Sequence, residues 1–111
     1  MKSLPARLDD TVGNMPTRHD FSTLLDGVFR VDLDDVPAGD LVLVKIEQLV
    51  SNEVQENFSL LFKGPIDGLS SQGIYRLANE RLGEIDLFLV PVKKDESGMY
   101  YEAVFNNFLI G

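Results

Sequence analysis

A chain of 111 residues that is 44% apolar and 25% charged can fill one core of ordinary size, which argues against wholesale disorder and makes one domain the expectation. It holds no cysteine, so disulfides, thiolate nucleophiles and cysteine-bound zinc are excluded together. Ten Lys and Arg against eighteen Asp and Glu leave a net charge of -8, which disfavours nucleic acid, and the adjacent cations Lys93-Lys94 are offset by Asp95-Glu96.

The start of the chain carries no apolar signal-like stretch, and no apolar run approaches the roughly 20 residues that cross a bilayer as a helix. The expectation is a cytoplasmic protein with no membrane insertion, with incorporation into a secreted particle left open. Residues 1–19 read as a flexible leader. Leu4, Leu8, Val12 and Met15 fall at helical spacing there, but Pro5, Gly13 and Pro16 interrupt it. The remainder, 20–111, is expected to form the domain.

Asp20 to Gly27 predicts one or two helical turns, capped by Asp20 or Ser22, with Phe21, Leu24 and Leu25 sharing a face and Gly27 as the stop. Its expected place is one end of the sheet. Val28 to Leu33 alternates as a first strand, with Phe29, Val31 and Leu33 inward. Asp34 to Asp40 has turn composition, and Leu41 to about Val50 predicts a second strand with Val42, Val44 and Ile46 on one parity. Leu41, Leu43 and Leu49 occupy the other parity, and a strand apolar on both faces suggests a second covering layer, a bulge or a subunit contact near its ends.

The third strand, Phe58 to Lys63, places Phe58, Leu60 and Phe62 inward and is closed by Gly64-Pro65. A long connection then leads to a fourth strand at Gln72 to Leu77, and Asn79 to Gly83 is a hairpin loop. The most regular unit is the last hairpin. In it Ile85, Leu87 and Leu89 share one face, Lys93 to Gly98 is the polar loop, and Tyr101, Ala103 and Phe105 share the returning face. Pro91 marks an edge position or a bulge. The expected fold is therefore mainly all-β: a six-stranded antiparallel meander, closed or half-closed into a small barrel, with one short N-terminal helix.

The strings Phe58-x-Leu60-Leu61-Phe62-x-Gly64-Pro65, Gln72-Gly73-x-Tyr75-Arg76-Leu77, Leu82-Gly83, Leu87-Phe88-Leu89-Val90-Pro91 and Gly98-Met99-x-Tyr101-Glu102-Ala103-Val104-Phe105-Asn106 together resemble a family of short bacterial proteins classed as a domain of unknown function. The resemblance covers about residues 20–107. It implies a small all-β protein, an association with tail-collar or tail-fibre-like proteins of phage-derived systems, and no activity to carry over. Relatives place a histidine where this chain has Asn79, which puts a histidine-dependent site there in doubt.

No residue pattern points to catalysis, a cofactor or a metal. His19 stands beside Asp20 and Ser22, but a nucleophile relay needs groups preorganised on a rigid scaffold together with an oxyanion donor, and sequence neighbours in a leader lack both. Asp9, Asp10, Asp32, Asp34, Asp35 and Asp40 offer oxygen ligands without the spacing of a calcium loop, and are better explained as turn formers. Glu84, Asp86 and Glu102 sit on adjacent strands but alternate with the apolar face. That puts them on the solvated side, where Lys63 or Arg76 can pair with them. Gly64, Gly68 and Gly73 lack the following helix of a phosphate loop.

The inward aromatics Phe29, Phe58, Phe62, Tyr75, Tyr101 and Phe105 are expected in the core. Phe88 and Tyr100 have outward parity, with Leu61, Val90 and Val104 as companions, and these five residues are the candidate partner-binding stripe. The favoured expectation is a non-catalytic module that binds another protein or itself, as an accessory or structural component of a phage-tail-like or secreted particle. The alternatives are a small-ligand barrel or enzyme with its site at the barrel mouth near Gly64-Pro65 and Gln72-Gly73, and an acidic immunity-type inhibitor.

Overall fold

The computed structural model describes residues 16–33, 36–52, 55–66, 68–69 and 71–108. The element order is α1 (Arg18–Ser22), β1 (Val28–Leu33), β2 (Val36–Ser51), β3 (Gln55–Gly64), β4 (Gly73–Asn79), β5 (Gly83–Asp95) and β6 (Gly98–Phe108). The strands pair antiparallel in a closed ring, β1-β2-β3-β6-β5-β4, with β4 returning to β1 through Arg30–Ala78, Val31–Leu77 and Asp32–Arg76. The ring confirms an all-β barrel with one short helix. Its order departs from a sequential meander, because β3 lies beside β6 and the connection from β3 to β4 passes across one end of the barrel.

The two-residue period decides what goes inside. Phe29 and Val31, Phe58, Leu60 and Phe62, Tyr75 and Leu77, Leu87 and Leu89, and Tyr101, Ala103 and Phe105 are all buried. The side chain of Leu33, the third inward position expected of β1, lies outside the described residues. Phe29 meets Phe62 edge-on at 5.2 Å, and Phe58 stacks on Phe105 at 4.9 Å. From α1, Phe21 packs against Phe105 at 5.2 Å and Phe58 at 6.1 Å, so the helix plugs the end of the barrel at which β3 begins. Leu24 follows it into the core, whereas Leu25 is 46% exposed.

The helix differs from its predicted bounds. Thr17 is the cap: its hydroxyl accepts from the backbone of Asp20 at 3.2 Å, and the Asp20 carboxylate accepts from the backbone of Thr17 at 2.9 Å, a reciprocal pair that precedes the expected start. The hydroxyls of Ser22 and Thr23 donate to the carbonyls of His19 and Asp20. Asp26, at φ 69°, turns the chain out of the helical path ahead of Gly27. Asp26 and Gly27 then exchange backbone hydrogen bonds with Leu43 at 2.7 and 3.1 Å, fastening this turn to β2.

Strand β2 also departs from expectation. It starts at Val36, within the predicted turn, and pairs with β1 from Leu33–Val36 onward. Val31 faces Gly39 while Asp32 faces Pro37, so Ala38 is an extra residue, and Gly39 supplies the φ of +129° beside it. A second irregularity, between Leu43 and Lys45, reverses the parity: Leu41 and Leu43 are buried, then Ile46 packs on the core. Val42 and Val44 are only half-buried and Leu49 is exposed, so neither parity is inward throughout: the core takes Leu41 and Leu43 from one and Ile46 from the other. The bulge explains why both parities of this strand are apolar.

At the opposite end from α1, Tyr101 donates its hydroxyl to the carbonyl of Leu69 at 2.8 Å, and Tyr75 donates to that of Ser71 at 2.7 Å. The connection between β3 and β4 is thereby held over the barrel mouth. Gly64 and Gly98 come together beneath it. A Cβ on Gly64 would stand 2.6 Å from Leu41 Cδ2, and one on Gly98 would run into the carbonyl oxygen of Gly64.

Candidate partner-binding face

The outer surface of the barrel carries charged rows and an apolar stripe. On one side, Asp32, Arg76 and Asp86 form a row across β1, β4 and β5. Arg76 meets Asp86 through two contacts of 2.9 and 3.2 Å, and Arg30 meets Asp32 at 3.2 Å. These are opposite-charge neighbours on a solvated sheet face, where solvent screens most of their attraction. Asp86 thus has the expected partner, and Glu84 beside it is also exposed.

The apolar stripe follows from strand register. Ile74 of β4 pairs directly with Phe88 of β5, and the two are 71% and 51% exposed. Val90 pairs with Glu102 of β6, so Phe88, two residues before Val90, lies on the same outer side as Val104, two residues after Glu102 and 52% exposed. Leu61 and Val90 flank Glu102 from β3 and β5, and both are half-buried. Ile74 is absent from the predicted stripe. The signal that could have found it is its shared parity with the outward Arg76.

Tyr100 stands farther along β6, opposite Lys63 on one side and Lys93 on the other. The Lys93 ammonium lies 4.9 Å from the ring centroid and that of Lys63 lies 6.0 Å from it, so its faces are occupied by cations of the chain itself. Of the five predicted residues, Phe88 and Val104 are exposed on the same outer side where β5 and β6 cease to pair, Leu61 and Val90 flank Glu102, and Tyr100 stands in a cationic bracket.

The Ser22 hydroxyl and the Asp20 carboxylate serve the helix ends, and His19 is exposed next to them. Among the described residues no three His, Asp or Glu side chains come together as a metal-binding group. Asp9, Asp10, Asp34 and Asp35 lie outside the described residues. Asn79 closes the β4–β5 turn by accepting from the backbones of Arg81 and Leu82 at 2.8 and 2.9 Å, and donates to the carbonyl of Val28. At the mouth, a cleft lined by Val31, Leu41, Pro65, Leu69 and Tyr101 has a volume of about 10 Å³, room for no more than a water. Burial, followed by the neighbouring Tyr75, raises the Tyr101 phenol above the ordinary tyrosine range, as suits a sealed group.

Fold and surface together define a small antiparallel β-barrel, closed at one end by a helix and at the other by a strapped loop, with an apolar stripe and charged rows on its exterior. The chain belongs to the family described as domain of unknown function DUF6916, whose model matches residues 16–105 and so takes in α1, β1 to β5 and most of β6. Comparison with curated proteins and with solved structures gives no significant match.

Proposed function

We propose that this barrel is a non-catalytic binding or assembly module that holds another protein against the stripe of Ile74, Phe88 and Val104. The observation that carries the reading is the exposure of these three large apolar side chains on three adjoining strands, next to rows in which the charges are already paired. Apolar contact would supply the attraction and the surrounding acidic groups the choice of partner. The setting to search is a phage-tail-like or secreted particle, which the resemblance of the sequence implies. The protein would be made in the cytoplasm before joining such a particle. The net charge of -8 supports a protein rather than a nucleic acid as the partner.

The test is affinity capture from the source cells, with size exclusion of the purified chain alongside. Phe88→Arg and Ile74→Lys should each remove a captured partner or shift a self-associated species to monomer, with unchanged circular dichroism. Capture and elution profiles identical to those of the unaltered protein would overturn the proposal.

A further inference from the structure

Backbone pairing between β5 and β6 runs from Asp95–Gly98 to Val90–Glu102 and stops. Beyond that point, among the described residues, Gly83 to Leu89 pairs with β4 alone, and Ala103 to Phe108 pairs with β3 alone. The barrel wall therefore has a seam between two strand edges. Among the described residues, no backbone hydrogen bond from a loop, turn or cap reaches either edge. The seam is sealed inside, since Leu87, Leu89, Ala103 and Phe105 are all buried and Phe21 packs behind them. Toward solvent it is bordered by Phe88 and Val104.

An unpaired strand edge is a template for another strand, and proteins usually block one with lysine, proline or a covering element. The outward side chains along this β5 edge are Phe88 and two charges of one sign, Glu84 and the Arg76-held Asp86, all exposed, so the edge discourages an acidic strand and not a basic one. A second copy would bring the same carboxylates and its own charge of -8 to the contact, so like charge opposes self-pairing. A strand that alternates lysine or arginine with apolar residues meets no such opposition: with its cations on the outer face beside Glu84, its apolar side chains turn to the inner face beside the half-buried Ile85 and the buried Leu87.

We infer that the β5 edge Gly83–Leu89 accepts an extended, basic and apolar segment of a partner protein as an added strand. This rests on the protein-binding reading and names the partner's recognition element. The probe is a synthetic peptide of about seven residues, one strand's length, alternating lysine and valine. Controls are the same composition in scrambled order and a glutamate–valine alternation. Amide exchange of the isotope-labelled full chain should slow by about tenfold or more at the alternate amides between Glu84 and Phe88 that point away from β4, with the lysine–valine peptide and with neither control. Glu84→Lys should abolish the preference for the basic peptide.

Exchange unchanged by all three peptides overturns the inference. So does protection of these amides in the protein alone: concentration-independent protection would mean that the chain's own residues fill the seam, and concentration-dependent protection that a second copy does. If Phe88→Arg releases the cellular partner while the lysine–valine peptide protects nothing, the strand inference fails and the apolar-face reading survives. Peptide protection combined with partner capture indifferent to Phe88→Arg gives the reverse result.

Discussion

The Tyr101 hydroxyl donates to the Leu69 carbonyl at 2.8 Å and ties the connection between β3 and β4 to the top of the barrel. Tyr101→Phe keeps the packing and leaves that carbonyl without its donor, at an expected cost of about 1–3 kcal/mol in urea unfolding. The raised phenol adds a pH dependence. Its folded-state value lies above its unfolded one, so its contribution is complete below about pH 10 and is lost as pH rises through the folded value. Unfolding curves in alkali should show this loss in the unaltered protein and lack it in Tyr101→Phe.

Asp95 governs the hairpin at the same end. Its carboxylate accepts from the backbones of Ser97 at 2.8 Å and Gly98 at 3.2 Å, and those bonds, with Lys93 nearby, hold it below the usual carboxylate range. A depressed folded-state value contributes stability above about pH 4 and loses it as pH falls through the folded value. Asp95→Ala should unfold at lower urea concentration than the unaltered protein at neutral pH, with the difference shrinking in acid. A difference independent of pH would show that the carboxylate charge is not what holds the turn.

Phe21 joins the helix to the barrel through its contacts with Phe58 and Phe105. Phe21→Ala should cost about 3–5 kcal/mol, a large part of the stability of a domain this size. Thermal melts would register it as a much lower midpoint. A melt close to that of the unaltered protein would mean that the barrel does not depend on its plug.

The glycines at the two hairpins should respond differently. Gly83 has φ +89°, and an added Cβ would meet nothing within 4 Å, so Gly83→Ala carries only the cost of a left-handed backbone, about 1–2 kcal/mol. Gly98→Ala would force a Cβ against the Gly64 carbonyl oxygen and requires β3 and β6 to separate. Chemical denaturation of the two variants should place Gly98→Ala well below Gly83→Ala.

Ile74 and Phe88 stand outside the core, so Ile74→Lys and Phe88→Arg should change folding stability by no more than about 0.5 kcal/mol. Urea midpoints measured beside the capture assays will separate a lost interface from a lost fold.

Alternation in the chain makes the inward sets Phe58, Leu60 and Phe62 and Tyr101, Ala103 and Phe105 readable, because period two and a single buried face leave one choice. The outward parity of Phe88 and Val104 is readable for the same reason. The Thr17–Asp20 cap is present in the sequence as a Thr-x-x-Asp pattern but is obscured by the stronger apolar spacing that begins at Phe21. The reversal in β2 leaves only an indirect trace, apolar residues on both parities, since one extra residue in a strand changes every later direction without a local signature.

Each strand's inside and outside is a property of neighbouring residues, and the order of amino acids suffices to set it. That β3 lies against β6, that Ile74 completes the stripe and that β5 and β6 part beyond Val90 are relations between segments distant along the chain. They emerge only on folding, because they depend on how the ring closes around Phe21, Phe58 and Phe105, and no local pattern of residues encodes them.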